Sequence, residues 1–210
     1  MIGFFNRSVI VTYLGVALSL LGIALANHGL FEWSVFCLAL AGACDTFDGK
    51  IARAMKNRTK EMMIFGTQID SLCDMVCFGV TPAILCYHMG LNRAWGIAVE
   101  ILYVLCGVIR LAYFNTLEEL KHEESEKNGE QEKTKYFHGL PITSISVIFP
   151  VVYLFRPLPN HVFSTILGVM LLVVAFLFIL DFKIKKPSNG VIAVLMFFVL
   201  TIMLRILHVL

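Results

Sequence analysis

The chain has 210 residues, of which 58% are hydrophobic, and its mean hydropathy is +0.80. This composition is too apolar for a typical soluble globular domain and predicts an integral membrane protein. The formal net charge of +2 gives no argument for a nucleic-acid partner, and we expect none.

A series of apolar segments runs along the chain, and several approach the ~20 residues that a helix needs to span a bilayer. In chain order they are Val9–Ala26, Phe31–Cys44, Ile69–His88, Ala94–Leu117, Thr143–Leu154, Phe163–Leu180 and Val191–Leu207. The second, fifth and seventh are short, and Pro150 predicts a kink in the fifth. The pattern predicts an all-α, polytopic membrane helix bundle with about six or seven transmembrane helices, formed by residues 1–210 as a single domain.

The basic residues predict how these helices are oriented. If the N-terminus is cytoplasmic and the segments alternate in direction, most lysines and arginines fall in cytoplasmic loops. Only Arg93 and Arg156 then fall in loops on the outside. Because cytoplasmic loops carry an excess of Lys and Arg, we expect residues 45–74 to lie at the cytoplasmic face. We expect the membrane to be a bacterial or archaeal cell membrane.

The longest hydrophilic stretch, residues 118–139, is interpreted as a solvated cytoplasmic loop that is partly helical over Leu117–Glu126. All 6 cysteines lie in or beside apolar segments, so we expect small buried residues and no disulfide framework. Cys73 and Cys77 are spaced i, i+4, and a site for a soft metal is the alternative interpretation for this pair.

Two pairs of aspartates lie near the ends of apolar segments: Asp45 with Asp48, and Asp70 with Asp74. A carboxylate at the centre of a membrane helix costs at least ~2.5 kcal/mol, so such residues usually mark a functional site. At these spacings each pair occupies one face of a helix. Two such faces in apposition would form an oxygen cage for Mg²⁺ or Mn²⁺, and a pair of ions would suit displacement at phosphorus.

The residues around the aspartates suit a phosphate-bearing ligand. Gly49 and Ala52 keep the face of the first pair open, so that a bulky group can approach the backbone. Arg53 follows on the same face, and its planar guanidinium matches phosphate oxygens. Gly66 precedes Asp70 by one helical turn.

These positions together resemble the signature of the CDP-alcohol phosphatidyltransferase family. The matching pattern is Asp45-x-x-Asp48-Gly49-x-x-Ala52-Arg53 followed by Gly66-x-x-x-Asp70-x-x-x-Asp74. Residues 69–83, 110–115 and 137–141 resemble the serine-using branch of that family. The segment between Arg53 and Gly66 is about one helical turn longer than is usual in the family. Thr12 matches a family threonine, whereas Val9 stands where an asparagine is usual.

The resemblance implies a homodimeric enzyme that transfers a phosphatidyl group from CDP-diacylglycerol to L-serine in a lipid membrane and releases CMP. Independently, a serine hydroxyl is a poor nucleophile at neutral pH, and a carboxylate within hydrogen-bond reach would activate it. The implied roles are principal metal ligands for Asp45, Asp48 and Asp70, second-metal ligand and general base for Asp74, and CDP contacts for Gly49, Arg53 and Thr59.

The resemblance also suggests acceptor-binding roles for Arg110, Asn115 and His138. For Arg110 the alternatives are a structural ion pair with an acid on another helix and a site for the carboxylate of serine. The same chemistry on glycerol phosphate or inositol phosphate is an alternative function. An alternative from a different class is a transporter of divalent cations, with the aspartates as its permeation site.

Overall fold

The computed structural model describes residues 7–54, 59–128, 136–185 and 189–207, and helices account for most of these ranges. The α-helices are α1 (Arg7–Asn27), α2 (Phe31–Ala54), α3 (Lys60–Asp74), α4 (Thr81–His88), α5 (Ala94–Asn128), α6 (Ile145–Tyr153), α7 (Asn160–Ile179) and α8 (Asn189–Ile206). A π-helical segment, Met75–Val80, joins α3 to α4, and a 3₁₀ turn, Ile142–Ser144, precedes α6.

Every predicted apolar segment is helical, so the prediction of a membrane helix bundle is confirmed. The structure corrects two boundaries. Helix α2 continues past the predicted end at Cys44 to Ala54, and α3 begins at Lys60 before the predicted start at Ile69. The apolar pattern ends where charged residues begin, whereas the helical backbones of α2 and α3 continue through those residues.

Four helical stretches are long and apolar enough to cross a membrane: Val9–Asn27, Glu61–His88, Ala94–Leu120 and Asn160–Ile179. Two shorter apolar helices, Ile142–Tyr153 and Gly190–Ile206, accompany them. Helix α2 carries charged residues near both of its ends, which lowers its mean hydropathy. The structure therefore supports a polytopic bundle, and the number of spans stays a prediction.

Small residues allow the helices around α2 to approach closely. A Cβ added at Gly22 of α1 would lie 3.2 Å from the Cβ of Cys37 and 3.3 Å from the carbonyl oxygen of Ser34 on α2. A methyl group at Gly42 would overlap the Ser146 side chain on α6. In membrane bundles such small residues permit the close backbone contacts that replace the hydrophobic driving force.

A two-stranded antiparallel pair forms between β1 (Tyr136–His138) and β2 (Lys183–Lys185), with Phe137 opposite Ile184. The sequence predicted a polar loop over residues 118–139 and no strand. Helix α5 extends to Asn128, which confirms that the first part of this loop is helical. The strand pair was not predicted. The strands were missed because each is only three residues long and pairs with a partner far away in the sequence.

Candidate active site

Carboxylates from the C-terminal half of α2 and from the end of α3 converge in the structure. One carboxylate oxygen from each of Asp45, Asp70 and Asp74 lies within 4.8 Å of the other two. All three side chains are partly exposed. The predicted apposition of the two helix faces is therefore present in the described residues.

This donor set fits a hard divalent cation. It consists of carboxylate oxygens only, which suit Mg²⁺ or Mn²⁺ better than a soft metal. Three like charges this close repel one another, and a bound cation would relieve that repulsion. The geometry thus shows an aspartate cluster that could hold a metal ion.

Asp48 lies beside this cluster and makes a separate contact. Its side chain is 4% exposed, and its Oδ2 accepts a hydrogen bond of 2.7 Å from the hydroxyl of Thr12 on α1. It is not one of the three carboxylates that converge within 4.8 Å. Its predicted role as a principal metal ligand stays a prediction, whereas its tie to α1 was not predicted.

A small cavity opens beside the carboxylates. Its lining residues are Thr12, Gly15, Ala41, Asp45, Asp48, Cys73, Asp74, Cys77 and Phe78. Cys73 and Cys77 are buried free thiols in this wall. Among the described residues, the cluster that could hold a metal ion contains neither of them, which favours their interpretation as small buried residues.

The backbone of α2 places the predicted CDP contacts on the helix that carries Asp45. Gly49 follows Asp45 by one turn and is partly buried. Arg53 lies one turn further along the helical backbone. The Arg53 side chain lies outside the described part of the chain, so its contact with phosphate stays a prediction.

Thr59 has a local structural role. It caps the N-terminus of α3, where its side-chain oxygen accepts a hydrogen bond of 3.3 Å from the N–H of Met62. It precedes Asp70 by about three helical turns, or roughly 16 Å along the axis. The predicted contact of Thr59 with the nucleotide therefore remains open, and the cap accounts for its position.

Arg110 lies on α5 and is buried, with 9% of its surface exposed. Its Nε has no hydrogen-bond partner among the described residues, and its guanidinium carbon lies 5.8 Å from the ring centre of Phe178 on α7. Arg110 is close enough to Asp74 for their charges to interact. Arg110 is therefore a buried cation whose charge interacts with one carboxylate of the cluster.

The other two predicted acceptor residues differ in how much of them the structure describes. The Oδ1 of Asn115 accepts a hydrogen bond of 2.8 Å from the hydroxyl of Ser71, which lies between Asp70 and Asp74. This bond joins α5 to the helical turn that carries the carboxylates. His138 is the last residue of β1, and the structure does not describe its side chain, so its acceptor-binding role stays a prediction.

Residues 5–180 match the profile of a family described as CDP-alcohol phosphatidyltransferase. The CDP-diacylglycerol–serine O-phosphatidyltransferase of Saccharomyces cerevisiae is 38% identical over 120 residues, which cover 56% of this chain and 40% of the yeast protein. The archaetidylserine synthase of Methanothermobacter thermautotrophicus is 34% identical over 146 residues, or 69% of this chain and 56% of that protein.

A further relative aligns over more of its length. The CDP-diacylglycerol–serine O-phosphatidyltransferase of Methanocaldococcus jannaschii is 29% identical over 181 residues, which cover 86% of this chain and 74% of that protein. The chain nevertheless spans about half the length, or less, of most of the curated relatives that it matches.

Proposed function

This chain belongs to the CDP-alcohol phosphatidyltransferase family, and from this premise we propose that it transfers a phosphatidyl group from CDP-diacylglycerol to L-serine. The products are phosphatidylserine and CMP. The observation that carries the proposal is the convergence of Asp45, Asp70 and Asp74 within 4.8 Å, beside a cavity between α1, α2 and the π-helical segment. The names of the relatives support serine as the acceptor.

The donor side of the proposed site combines the carboxylates with α2. Asp45, Asp48, Asp70 and Asp74 would hold Mg²⁺ or Mn²⁺, in our proposal as two ions, which when bound offset the negative charge of the diphosphate. Gly49 leaves room for the CDP moiety, and Arg53 would bind its phosphate oxygens. Thr59 is the more distant proposed contact of the nucleotide.

Asp74 is the proposed general base. Its carboxylate takes the proton from the serine hydroxyl while the hydroxyl oxygen forms a bond to the phosphorus of the phosphatidyl group. The bond between that phosphorus and the oxygen of the CMP phosphate breaks, and CMP leaves with the bonding electrons. Atoms and charge balance without a further reactant.

The acceptor side lies toward α5. Arg110 is a buried cation near Asp74, which suits the carboxylate of serine. Asn115 and His138 are proposed to bind the remaining polar groups of the acceptor. A phosphorylated acceptor such as glycerol phosphate or inositol phosphate would call for more basic residues beside the cavity than Arg53 and Arg110.

The apolar helices and the family make this an integral membrane protein. We propose that the active site faces the cytoplasm of a bacterial or archaeal cell, that the acyl chains stay in the bilayer, and that the protein is a homodimer. The family match does not support a transporter of divalent cations.

The test is an assay of CMP release by the protein in nanodiscs, with CDP-diacylglycerol and a panel of alcohols in the presence of Mg²⁺ or Mn²⁺. We expect release that depends on serine and on the metal, and that is lost in Asp45→Ala. Faster release with glycerol phosphate or inositol phosphate would assign another acceptor. A parallel series with a dialkyl ether donor distinguishes bacterial-type from archaeal-type lipid.

A further inference from the structure

We infer that Tyr103, which does not line the cavity, is a positioning residue that holds the turn after Asp74 in the geometry required for metal binding and turnover. The inference rests on the proposed function for its catalytic part only. It follows from the π-helical segment, from the hydrogen bond of the Tyr103 hydroxyl and from a phenylalanine ring that contacts both Tyr103 and Arg110.

The π-helical segment begins directly after Asp74 and changes the helical phase between the aspartates and α4. In an α-helix the carbonyl of Phe78 would accept from the N–H of residue 82, but residue 82 is proline and has no N–H. The N–H of Thr81 instead reaches back five residues to the carbonyl of Val76. The Phe78 carbonyl thus lacks its regular α-helical donor.

Tyr103 on α5 supplies a donor to this carbonyl. Its side chain is fully buried, and its hydroxyl donates a short hydrogen bond to the carbonyl oxygen of Phe78. A buried carbonyl without a partner would leave the cost of its desolvation uncompensated. The hydroxyl therefore stabilises the π-helical geometry at the position where proline removes the regular bond.

Phe78 connects this bond to the site. It follows Asp74 by about one turn, and it lines the same cavity as Asp45, Asp48 and Asp74. A rotation of this turn would change the direction of the Asp74 carboxylate relative to Asp45 on α2. Fixing the Phe78 carbonyl consequently fixes the orientation of Asp74.

A second set of contacts joins Tyr103 to Arg110 through one phenylalanine ring. The ring centre of Tyr103 lies 5.6 Å from that of Phe178, and the guanidinium carbon of Arg110 lies 5.8 Å from the same ring. Tyr103 and Arg110 are two turns apart on one face of α5. The Tyr103 ring therefore packs against the same phenylalanine as Arg110, whose charge interacts with that of Asp74.

Tyr153 on α6 is a matched control. It is also buried, with 3% exposure, and its hydroxyl donates to Oε1 of Glu32 at 3.3 Å. Its ring packs against Phe163, another phenylalanine of α7, at 6.2 Å between ring centres. It does not line the aspartate cavity. Tyr103→Phe and Tyr153→Phe thus remove the same group from similar surroundings at different distances from the site.

The experiment measures the Kd of Mn²⁺ by electron paramagnetic resonance on the full-length protein in nanodiscs of zwitterionic lipid, with Asp45→Ala as the blank. CMP release with serine and the unfolding temperature are measured in parallel. We expect Tyr103→Phe to raise the Kd about 10-fold, within the range for groups that orient metal ligands, and to lower kcat. Tyr153→Phe should leave the Kd and kcat unchanged while lowering the unfolding temperature.

An unchanged Mn²⁺ Kd in Tyr103→Phe would overturn the inference, even if its unfolding temperature falls. If Tyr103→Phe does not fold, Pro82→Ala in the same background provides a main-chain donor for the Phe78 carbonyl. Because that main-chain bond favours the α-helical phase, weak Mn²⁺ binding by the folded double variant would show that the π-helical geometry stabilised by Tyr103 is required, and binding as tight as in the wild type would overturn the inference. Wild-type protein that binds Mn²⁺ but releases no CMP would contradict the proposed function and leave the Mn²⁺ comparison valid.

Discussion

At the scale of single residues, Asp74 serves two proposed purposes. It contributes to the cluster with Asp45 and Asp70, and it is also the nearest of these carboxylates in sequence to the π-helical segment that shapes the cavity wall. A carboxylate that binds a cation is a weaker base, so the two purposes oppose each other. Replacing Asp74 with asparagine, the isosteric amide, distinguishes its role in metal binding from its role as a base.

We predict that Asp74→Asn retains binding of CDP-diacylglycerol but loses at least ~100-fold in the rate of CMP release. Asparagine keeps the shape and one oxygen for the metal, but it cannot accept the proton of serine. Binding is measured by calorimetry and the rate by CMP release with saturating serine. Loss of binding together with rate would make Asp74 chiefly a metal ligand, and a preserved rate would assign the base to another group.

Thr12 is the second residue with a testable role, because its hydroxyl donates to the buried carboxylate of Asp48. We predict that Thr12→Val, which keeps the shape of the side chain, weakens Mn²⁺ binding about 10-fold, as removal of an orienting group does at metal sites. Thr116→Val is the control, since the Thr116 hydroxyl donates to the carbonyl of Ala112 one turn earlier in α5. Equal Mn²⁺ affinities in the two variants would show that the hydroxyl of Thr12 does not contribute to metal binding.

At the scale of the helices, the sequence predicted what depends on the local period and missed what depends on distant partners. Asp45 and Asp70 were expected on helix faces because residues at i, i+3 and i+4 share a face in any α-helix. The bond from Thr12 to Asp48 joins residues 36 apart, and that from Tyr103 to Phe78 joins residues 25 apart. Such contacts depend on which helices pack together, which the local pattern does not contain.

The π-helical segment gave a signal that local reasoning could have used. Pro82 lies inside a continuous apolar helix, and proline in a helix interior removes one backbone hydrogen bond. This predicts an irregular turn before residue 82, close to Asp74. Which side chain would satisfy the free carbonyl was not accessible, since Tyr103 belongs to the next long helix.

The contact between α2 and α6 gives a prediction for element packing. We predict that Gly42→Ala lowers the free energy of unfolding by about 1–3 kcal/mol, because its methyl group overlaps Ser146, whose hydroxyl is held by the carbonyl of Thr143. Gly15→Ala is the control, since its methyl group meets its nearest neighbour, the Cβ of Cys44, at an ordinary 3.7 Å.

The measurement is thermal and denaturant unfolding of the two glycine variants in the same detergent. Alanine is otherwise the better helix former by about 1 kcal/mol, so Gly15→Ala should be neutral or stabilising. Stabilisation of both variants would show that α6 lies further from α2 than the structure places it. Ser146→Ala combined with Gly42→Ala should recover part of the loss.

At the scale of the whole molecule, the contacts of the loop between α6 and α7 bear on the number of membrane spans. The guanidinium carbon of Arg156 lies 5.8 Å from the ring centre of Phe31 and 5.4 Å from that of Phe163. Phe31 begins α2, at the end of the bundle opposite Asp48. The residues that lead into α6 lie near the strand pair, since the N–H of Gly139 donates to the carbonyl of Phe182. The short helix α6 therefore connects the two ends of the bundle.

This arrangement leads to a prediction about orientation. In a cysteine-free background, we predict that Arg93→Cys and Arg156→Cys react with a membrane-impermeant maleimide in intact cells, and that Lys127→Cys reacts only after the cells are lysed. Arg93 and Arg156 are the basic residues of the outside loops in the predicted topology, whereas Lys127 lies near the end of α5 on the aspartate side. Labelling of Arg93→Cys without Arg156→Cys would mean that α6 does not cross the bilayer, which leaves fewer spans than predicted. Labelling of Lys127→Cys alone in intact cells would reverse the orientation and place the aspartates, with the proposed reaction, on the outer face.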